Sequence, residues 1–507
     1  MSSLRPAIVL VADRTLSGQY RALFEGIFGT MQTTSVPEFM MRRLLSPRQP
    51  TDESGRATAA VLGLRRVESA LLAEGFARAD VVCTTPETLP SLIGPWTKIV
   101  GFSSSDPLGL AMSNSTTVNF CGGRLYTELW TQRLLESLAD AKRRHGFSIV
   151  AGGGGAWQLA QNPQRARQLG IDVIFEGFFE RQGPALFLDI LAGRTPPAHV
   201  VESQPLAALA KPIAGASAMG VIELSRGCGK GCEFCTSGHR AMEHLPPALI
   251  LQDLRTNVAA GISAVVSGSE DFFRYGSTGS RVNFAALTGL LEQMRRVEGL
   301  SFMQIDHANI SSVLQLGLGE LREVRRLLSW GRASEYLWVN MGIESASTEL
   351  VTRHCPGKFG PFAGRDWAGM VLESADLMQQ AGFFPVYSLI LGLPGETLTD
   401  IEQTQRLVDH LARTQAVIFP IFYEPIVPES RQQGAGFTLS KMRPEHLRLF
   451  QSCYEINFRL VPRLFADNQA CAGVSWAKRT LVQMLGKSEV MLWRRRFGRI
   501  ARQIAKS

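Results

Sequence analysis

No uncharged apolar stretch in this chain reaches the roughly 18 residues that a membrane span needs. The apolar run at 7–12 is too short for a signal segment and ends in Asp13-Arg14. Eight cysteines in 507 residues are too few and too unevenly spaced for a secreted disulfide framework. Charged residues make up only 19%, but hydrophobic residues reach 45%, which excludes wholesale disorder. What remains is a globular protein, long enough at roughly 150 residues per domain for two to four domains. It is expected in a reducing cytoplasm.

Basic residues outnumber acidic ones by 53 to 45, and the excess is local. Residues 441–507 hold 14 Lys and Arg against 4 Asp and Glu, so the first 440 residues are slightly acidic. Within that tail Trp493, Phe497, Ile500 and Ile504 recur on one helical face among arginines, the pattern of a basic amphipathic helix. It predicts reversible contact with a membrane surface, a peripheral location at the inner face of the membrane, and a lipid or other amphiphilic substrate. A plain terminal helix packed on the rest of the protein is the alternative. No aromatic-basic RNA module or helix-turn-helix wording accompanies the charge, so no nucleic-acid partner is expected.

Residues 1–192 alternate short apolar runs (7–11, 80–83, 99–103, 148–152, 173–176) with amphipathic segments such as 129–144. This rhythm predicts a Rossmann-like parallel sheet. Ser103-Ser104-Ser105-Asp106, Gly152-Gly153-Gly154-Gly155 and Glu176-Gly177 fall at the strand ends where such sheets bind ligands. Residues 193–219, rich in Pro, Ala and Ser, read as a linker. A second series follows in 220–430, with strands expected at 220–224, 264–267, 301–305, 336–341, 385–391 and 416–423. Six strands in about 200 residues fit a partial (β/α)6 barrel better than a complete eight-stranded one. Residues 431–507 read as a basic helical region. The fold class is α/β.

The chemistry concentrates in one loop. Cys228, Cys232 and Cys235 stand in C-x3-C-x2-C order after the first barrel strand, with glycines at 227, 229 and 231. Three thiolates hold three corners of a cubane iron-sulfur cluster and leave the fourth iron open to another ligand. The alternative is a zinc site completed by His239 or His244, but zinc prefers two paired modules and only one pair is present.

This loop resembles that of the radical SAM superfamily. The resemblance implies a [4Fe-4S] cluster on the three cysteines, S-adenosylmethionine on the open iron, and cleavage to a 5'-deoxyadenosyl radical. Phe234 matches the family's aromatic residue beside the cofactor. Gly268-Ser269-Glu270 resembles the segment that meets the methionine amino group. Asn340, with Glu344 and Ser345 of the Gly-Ile-Glu-Ser segment, resembles the ribose and methionine contacts, and Gly392, Pro394 and Gly395 resemble the turn near the adenine. Each such segment read alone is equally a tight strand-to-helix connection, with Glu396 or Thr397 supporting the next helix.

A parallel α/β domain ahead of such a barrel is similar to the cobalamin-binding domain of the B12-dependent subfamily, which places Ser104, Gly153 and Gly154 at the corrin. No Asp-x-His-x-x-Gly segment is present, and His145 and His199 lie away from the strand ends, so no histidine is expected on the lower face of cobalamin. A vestigial domain that only caps the barrel is the alternative. Asp306 and His307, after the third barrel strand, are candidates to accept a substrate proton or anchor a polar group. Cys355 is a candidate hydrogen donor.

The expected activity is cobalamin-dependent methylation of an unactivated carbon, with a flavodoxin or ferredoxin as low-potential electron donor. The alternatives are radical C–C bond formation or cyclisation on a lipid, and a non-catalytic iron-sulfur binding or sensor protein.

Overall fold

The computed structural model describes residues 4–331, 336–427 and 435–505. The expected boundary at 430 falls outside them. The chain divides into two compact units, the first holding residues 1–118, 122–222 and 245–265, the second residues 119–121, 223–244 and 266–507.

In the first unit six parallel strands form one sheet. In chain order they are β1 (Ile8–Ala12), β2 (Val81–Thr84), β3 (Ile99–Ser103), β4 (Ser148–Gly152), β5 (Val173–Gly177) and β6 (His199–Glu202), in spatial order β2-β1-β3-β4-β5-β6. The unbroken apolar run of β1 is buried throughout, as expected of a parallel strand covered on both faces. Glycine matters at position 101, opposite Leu10, because a Cβ there would meet Leu10 Cδ2 at 2.6 Å. Helix α1 (Tyr126–His145) buries Trp130, Leu134, Leu135 and Leu138 and ends on Gly146, whose left-handed φ of 71° closes the helix.

The order reverses between β1 and β3, the topological switch at which open sheets bind ligands beyond the strand ends. The 193–219 stretch, read as linker, contains β6. Its first three residues are not buried, so little apolar signal marks it in the sequence.

The later strands are β7 (Val221–Glu223), the two-residue β8 (Ser225–Arg226) and β9 (Glu243–His244), β10 (Ala264–Gly268), β11 (Phe302–Gln304), β12 (Leu337–Glu344), β13 (Phe383–Leu391) and β14 (Val417–Phe422). The barrel strands form two sheets, β11-β10-β7 and β12-β13-β14. Among the described residues a parallel bridge between His307 and Asn340 joins the third strand segment to the fourth: Asn340 N donates to Asp306 O at 2.9 Å and Ala308 N to Asn340 O at 3.0 Å. The six expected barrel strands are thus present, in the expected order.

Two long helices, α2 (Pro444–Cys471) and α3 (Trp476–Ile504), close the chain. They correct the membrane-facing role given to Trp493, Phe497 and Ile500. All three are buried, Trp493 lying 4.5 Å from Tyr454 and 5.6 Å from Phe120 between ring centroids, and Phe497 5.9 Å from Phe450. Aromatic burial of this kind outweighs exposure to an interface, so this face holds the second unit together. Among the described residues no helix is long and apolar enough to cross a membrane.

Candidate active site

The three cysteines sit in a loop whose backbone only glycine allows. Gly227, Gly229 and Gly231 all have positive φ, and a Cβ on Gly227 would meet Ala241 O at 2.4 Å. Cys228 N donates to Ser237 O and Arg240 O, Gly231 N to Gly238 O, and Cys235 N to Cys232 O, so the loop is folded back on itself. Arg274 Nη1 donates to Cys228 O at 2.8 Å and fastens the loop to the segment after β10. Burial pushes the Cys228 thiol up to about 11 and the Cys235 thiol up to about 12, so metal binding must displace their protons.

Among the described residues no group of three His, Cys, Asp or Glu side chains is placed to hold a single ion. His244 is engaged elsewhere, its Nε2 donating to Ser277 O at 3.0 Å. A cubane takes each thiolate on a different iron, and a loop carrying three thiols, Cys232 buried and Cys228 and Cys235 half-buried, suits it. Phe234 is buried in the same loop.

The segment after helix α4 grips this loop; in chain order the helices here are α4 (Thr348–His354), α5 (Trp367–Ala381) and α6 (Leu398–Leu411), numbered after the three already introduced. Glu233 N donates to His354 O at 2.9 Å, His354 Nε2 donates to Pro394 O at 2.8 Å, and His354 Nδ1 lies 2.8 Å from Glu233 Oε2. Gly357 lies against Lys230, where a Cβ would come within 2.2 Å of the Lys230 carbonyl oxygen. Cys355, fully buried, hydrogen-bonds Cys232. That bond, with the nearby Lys358 ammonium, holds the Cys232 thiol below its usual range despite burial, while Cys355 is pushed well up.

Lys358 donates to Gly342 O at 2.9 Å and pairs with Glu344. Burial opposes its charge, and the Glu344 carboxylate holds it above the usual amine range. Glu344 itself adopts φ +64°, at a register shift between β12 and β13, a strained backbone that a non-glycine residue keeps only where its surroundings enforce it. Lys230, also buried, donates to Ser311 Oγ at 3.2 Å and is lowered by burial against the opposing Asp271 carboxylate.

Asp306, His307 and Asn340 meet at the strand seam. His307 Nδ1 lies 3.1 Å from Asp306 Oδ1, and Asn340 Nδ2 donates to the same oxygen at 3.3 Å. The His307 ring stands partly in solvent; the crowding of protein around it lowers the ring, but the Asp306 carboxylate outweighs that and raises it to about 9. Glu270 is exposed, and its charge reaches His307 as well as Cys228 and Cys235, raising all three. Ser269 Oγ lies 2.5 Å from Ser225 Oγ, next to Gly268 at the end of β10.

The other expected contacts are tied into the framework. Ser345 Oγ lies 3.3 Å from Thr404 Oγ1 of α6 and accepts from Ser347 N. Gly392 N donates to Glu396 Oε2, which also accepts from His446 Nε2, and Thr397 caps α6 in a capping box with Asp400. Gly395, with φ +83°, leaves room for Arg353, whose Nη1 a Cβ would meet at 2.4 Å. A recess of about 690 Å³ opens between α4, α5 and α6, lined by Ser347, Arg353, Thr397, Asp400, Arg406 and His410. None of its walls is a cysteine.

At the rim of the first unit, Ser104 is buried, with its hydroxyl 3.3 Å from Thr131 Oγ1 and its carbonyl accepting from Gly155 N. Gly153, at φ +88°, packs where a Cβ would meet Ser103 Oγ at 2.4 Å, whereas Gly154 is exposed with open space over its Cα. Asp13 follows β1. It accepts from Thr15 N at 2.9 Å and Thr15 Oγ1 at 2.5 Å, and burial pushes it up to about 6. Of the histidines, His145 ends α1 and His199 pairs with Glu176, so neither enters these loops.

Sequence reasoning passed over Lys230, Asp271, Arg274, His354 and Lys358. Lys230 stands inside the cysteine motif, and a buried lysine there was a usable signal. The others become visible only once folding brings together positions from 14 residues apart, Lys358 with Glu344, to 121 apart, His354 with Glu233.

Residues 222–408 match the family model described as "Radical SAM superfamily". A tRNA-2-methylthio-N(6)-dimethylallyladenosine synthase of Syntrophomonas wolfei is 23% identical over 63% of this chain and 68% of its own length. The enzyme of that name from Sulfurovum sp. is 21% identical over 49% of this chain, which spans just over half, 56%, of that relative. Among solved structures, the radical S-adenosylmethionine methyltransferase TsrM from Kitasatospora setae, with cobalamin and a [4Fe-4S] cluster bound, superposes with a TM-score of 0.55. It is 14% identical, and the match covers 84% of this chain and 77% of that one. At that identity the likeness is one of fold.

Proposed function

We propose that this chain, whose residues 222–408 match the radical SAM family model, is a cobalamin-dependent radical SAM methyltransferase acting on an unactivated carbon. One observation carries this reading: a parallel-sheet unit, whose glycine-rich turn after β4 packs on Ser103 and Ser104 beside the switch point, precedes the three-cysteine barrel within a single chain. The cobalamin-bound TsrM, similar in fold across both parts, supports it.

When bound, the [4Fe-4S] cluster supplies the electron that cleaves S-adenosylmethionine, and cobalamin supplies a methyl carrier. The chain's own contributions follow from the geometry. Cys228, Cys232 and Cys235 each hold one iron. Lys230 and Lys358 bring positive charge to an anionic group, and buried Phe234 helps to keep water out. Glu270 and Asn340 would contact S-adenosylmethionine when it is bound. Glu344 acts through Lys358 rather than on the ligand directly. Asp306 and His307 hold a proton at the imidazole, available to a polar group of the substrate. Ser104, Gly153 and Gly154 let the corrin edge approach the backbone. A low-potential flavodoxin or ferredoxin supplies the electron.

Incubation with methyl-labelled S-adenosylmethionine, cobalamin and a reductant tests this reading through the fate of the label. Label in the product supports methyl transfer, and an unlabelled product with a new C–C bond or ring supports the alternative. The two curated relatives carry tRNA in their names, so bulk tRNA belongs among the trial substrates. Label in tRNA as a methylthio group would replace both readings.

A further inference from the structure

Five of the ten large apolar side chains that stand exposed among the described residues lie on α3: Trp476, Leu481, Met484, Met491 and Leu492. Trp476 is 73% exposed, Met484 64% and Met491 58%. At 100° per residue, Leu481, Met484, Met491 and Leu492 fall within an arc of roughly 100°. This arc lies on the opposite side of the helix from the buried Trp493, Phe497 and Ile500. Helix α3 therefore has two apolar faces, one spent on packing and one left in water. Toward the C-terminus the outer arc turns basic, carrying Arg495, Arg499 and Arg502, all exposed. Along its whole length α3 has eight Lys and Arg and a single acid, Glu489.

We propose that this outer face of α3 docks on an anionic lipid surface. Concentrated exposure of long, flexible apolar side chains marks an interaction surface in a protein that otherwise scatters them singly. Charge selects the occupant. A second copy would bring an equally basic helix against this one, and like charges oppose that pairing. Single-stranded nucleic acid is held by aromatic platforms that stack on bases, and the arc from Leu481 to Leu492 carries no aromatic ring. A negatively charged bilayer satisfies both halves: apolar side chains enter the headgroup boundary, while the arginines meet lipid phosphates. The surface differs from the aromatic face singled out in the sequence, and it needs no rearrangement of the second unit, because its side chains already face solvent. Docking would bring the enzyme to amphiphilic substrates without a spanning segment, and it holds whether or not the methyl-transfer reading does.

The test is sedimentation of the full-length protein with vesicles of phosphatidylcholine alone and of phosphatidylcholine with phosphatidylglycerol, at low and high salt, with and without bulk tRNA as competitor. The expected result is co-sedimentation with the anionic vesicles only, weakened by salt. It should fall at least tenfold in the triple variant Met484→Glu, Met491→Glu, Leu492→Glu, with the melting temperature unchanged. A second variant, Arg495→Glu with Arg502→Glu, leaves the apolar arc intact and should lose the preference for anionic lipid. Absence of anionic-vesicle binding overturns the proposal. So does equal binding to neutral vesicles, or full binding by both variants. Displacement by tRNA that the triple variant does not alter would assign the basic surface to nucleic acid instead.

Discussion

Glu344 and Lys358 form a buried ion pair in the second unit, with Glu344 held at φ +64° and Lys358 close enough to Cys232 for its charge to favour the thiolate. Removing one partner of such a pair strands the other charge. Glu344→Ala is expected to cost about 3–5 kcal/mol of stability in the cluster-free protein. Glu344→Ala combined with Lys358→Met should recover most of it, as read by urea unfolding. Additive losses in the double variant would mean that the two residues are not energetically a pair.

The four thiols near the loop should divide sharply. Cys228→Ala, Cys232→Ala and Cys235→Ala are each expected to abolish cluster assembly and deoxyadenosine formation, because each removes one iron ligand. Cys355→Ala should keep its full iron complement, since Cys355 contacts Cys232 rather than serving as one of the three ligands. Iron analysis and ultraviolet-visible spectra separate the outcomes, and loss of iron in Cys355→Ala would make it a ligand.

The His307 ring, raised to about 9 by Asp306, should be cationic at neutral pH. Because its folded value lies above the ordinary 6.5, the pair's stabilising contribution is fully present below about pH 6.5 and is lost as pH rises through about 9. Asp306→Asn should bring the ring down to its ordinary value or below. Histidine NMR titration of both proteins reads this directly, and an unshifted ring in the variant would remove Asp306 as the cause.

Buried Asp13 has the opposite charge and a related consequence. Its carboxyl, raised by burial from 3.8 to about 6, favours folding fully below about pH 3.8, and that advantage is lost as pH rises through about 6. Asp13→Asn should therefore be more stable than the parent protein above pH 6, by on the order of 3 kcal/mol at about 1.4 kcal/mol per unit. The gap should close toward pH 4. Thermal melts across that range check it, and a gap independent of pH would show that packing rather than ionisation is responsible.

Much of this architecture could be read from the sequence because its signals are local. The apolar runs that form β1, β3 and β4 are short, rich in isoleucine and valine, and end at Asp13, Ser103 and Gly152, and the cysteine loop carries its own spacing and its own glycines. The failures share a physical cause. Trp493, Phe497 and Ile500 form one face in the sequence, but periodicity cannot say whether water, lipid or another helix covers it. Phe120, Phe450 and Tyr454, up to nearly 380 positions away, decide that. His354 and Lys358 were invisible for the same reason, since their partners Glu233, Pro394 and Glu344 meet them only in the fold. Ser345 and Thr397, read as members of cofactor-like segments, spend their hydroxyls on Thr404 and on the α6 cap.

The most direct test of the central claim is the metal content of protein reconstituted without oxygen in the presence of iron, sulfide and hydroxocobalamin, then desalted. The account predicts about four iron and about one cobalt per chain, the cobalt bound without a histidine ligand from the protein. About four iron with no retained cobalt would leave the radical SAM assignment standing and contradict cobalamin-dependent methyl transfer.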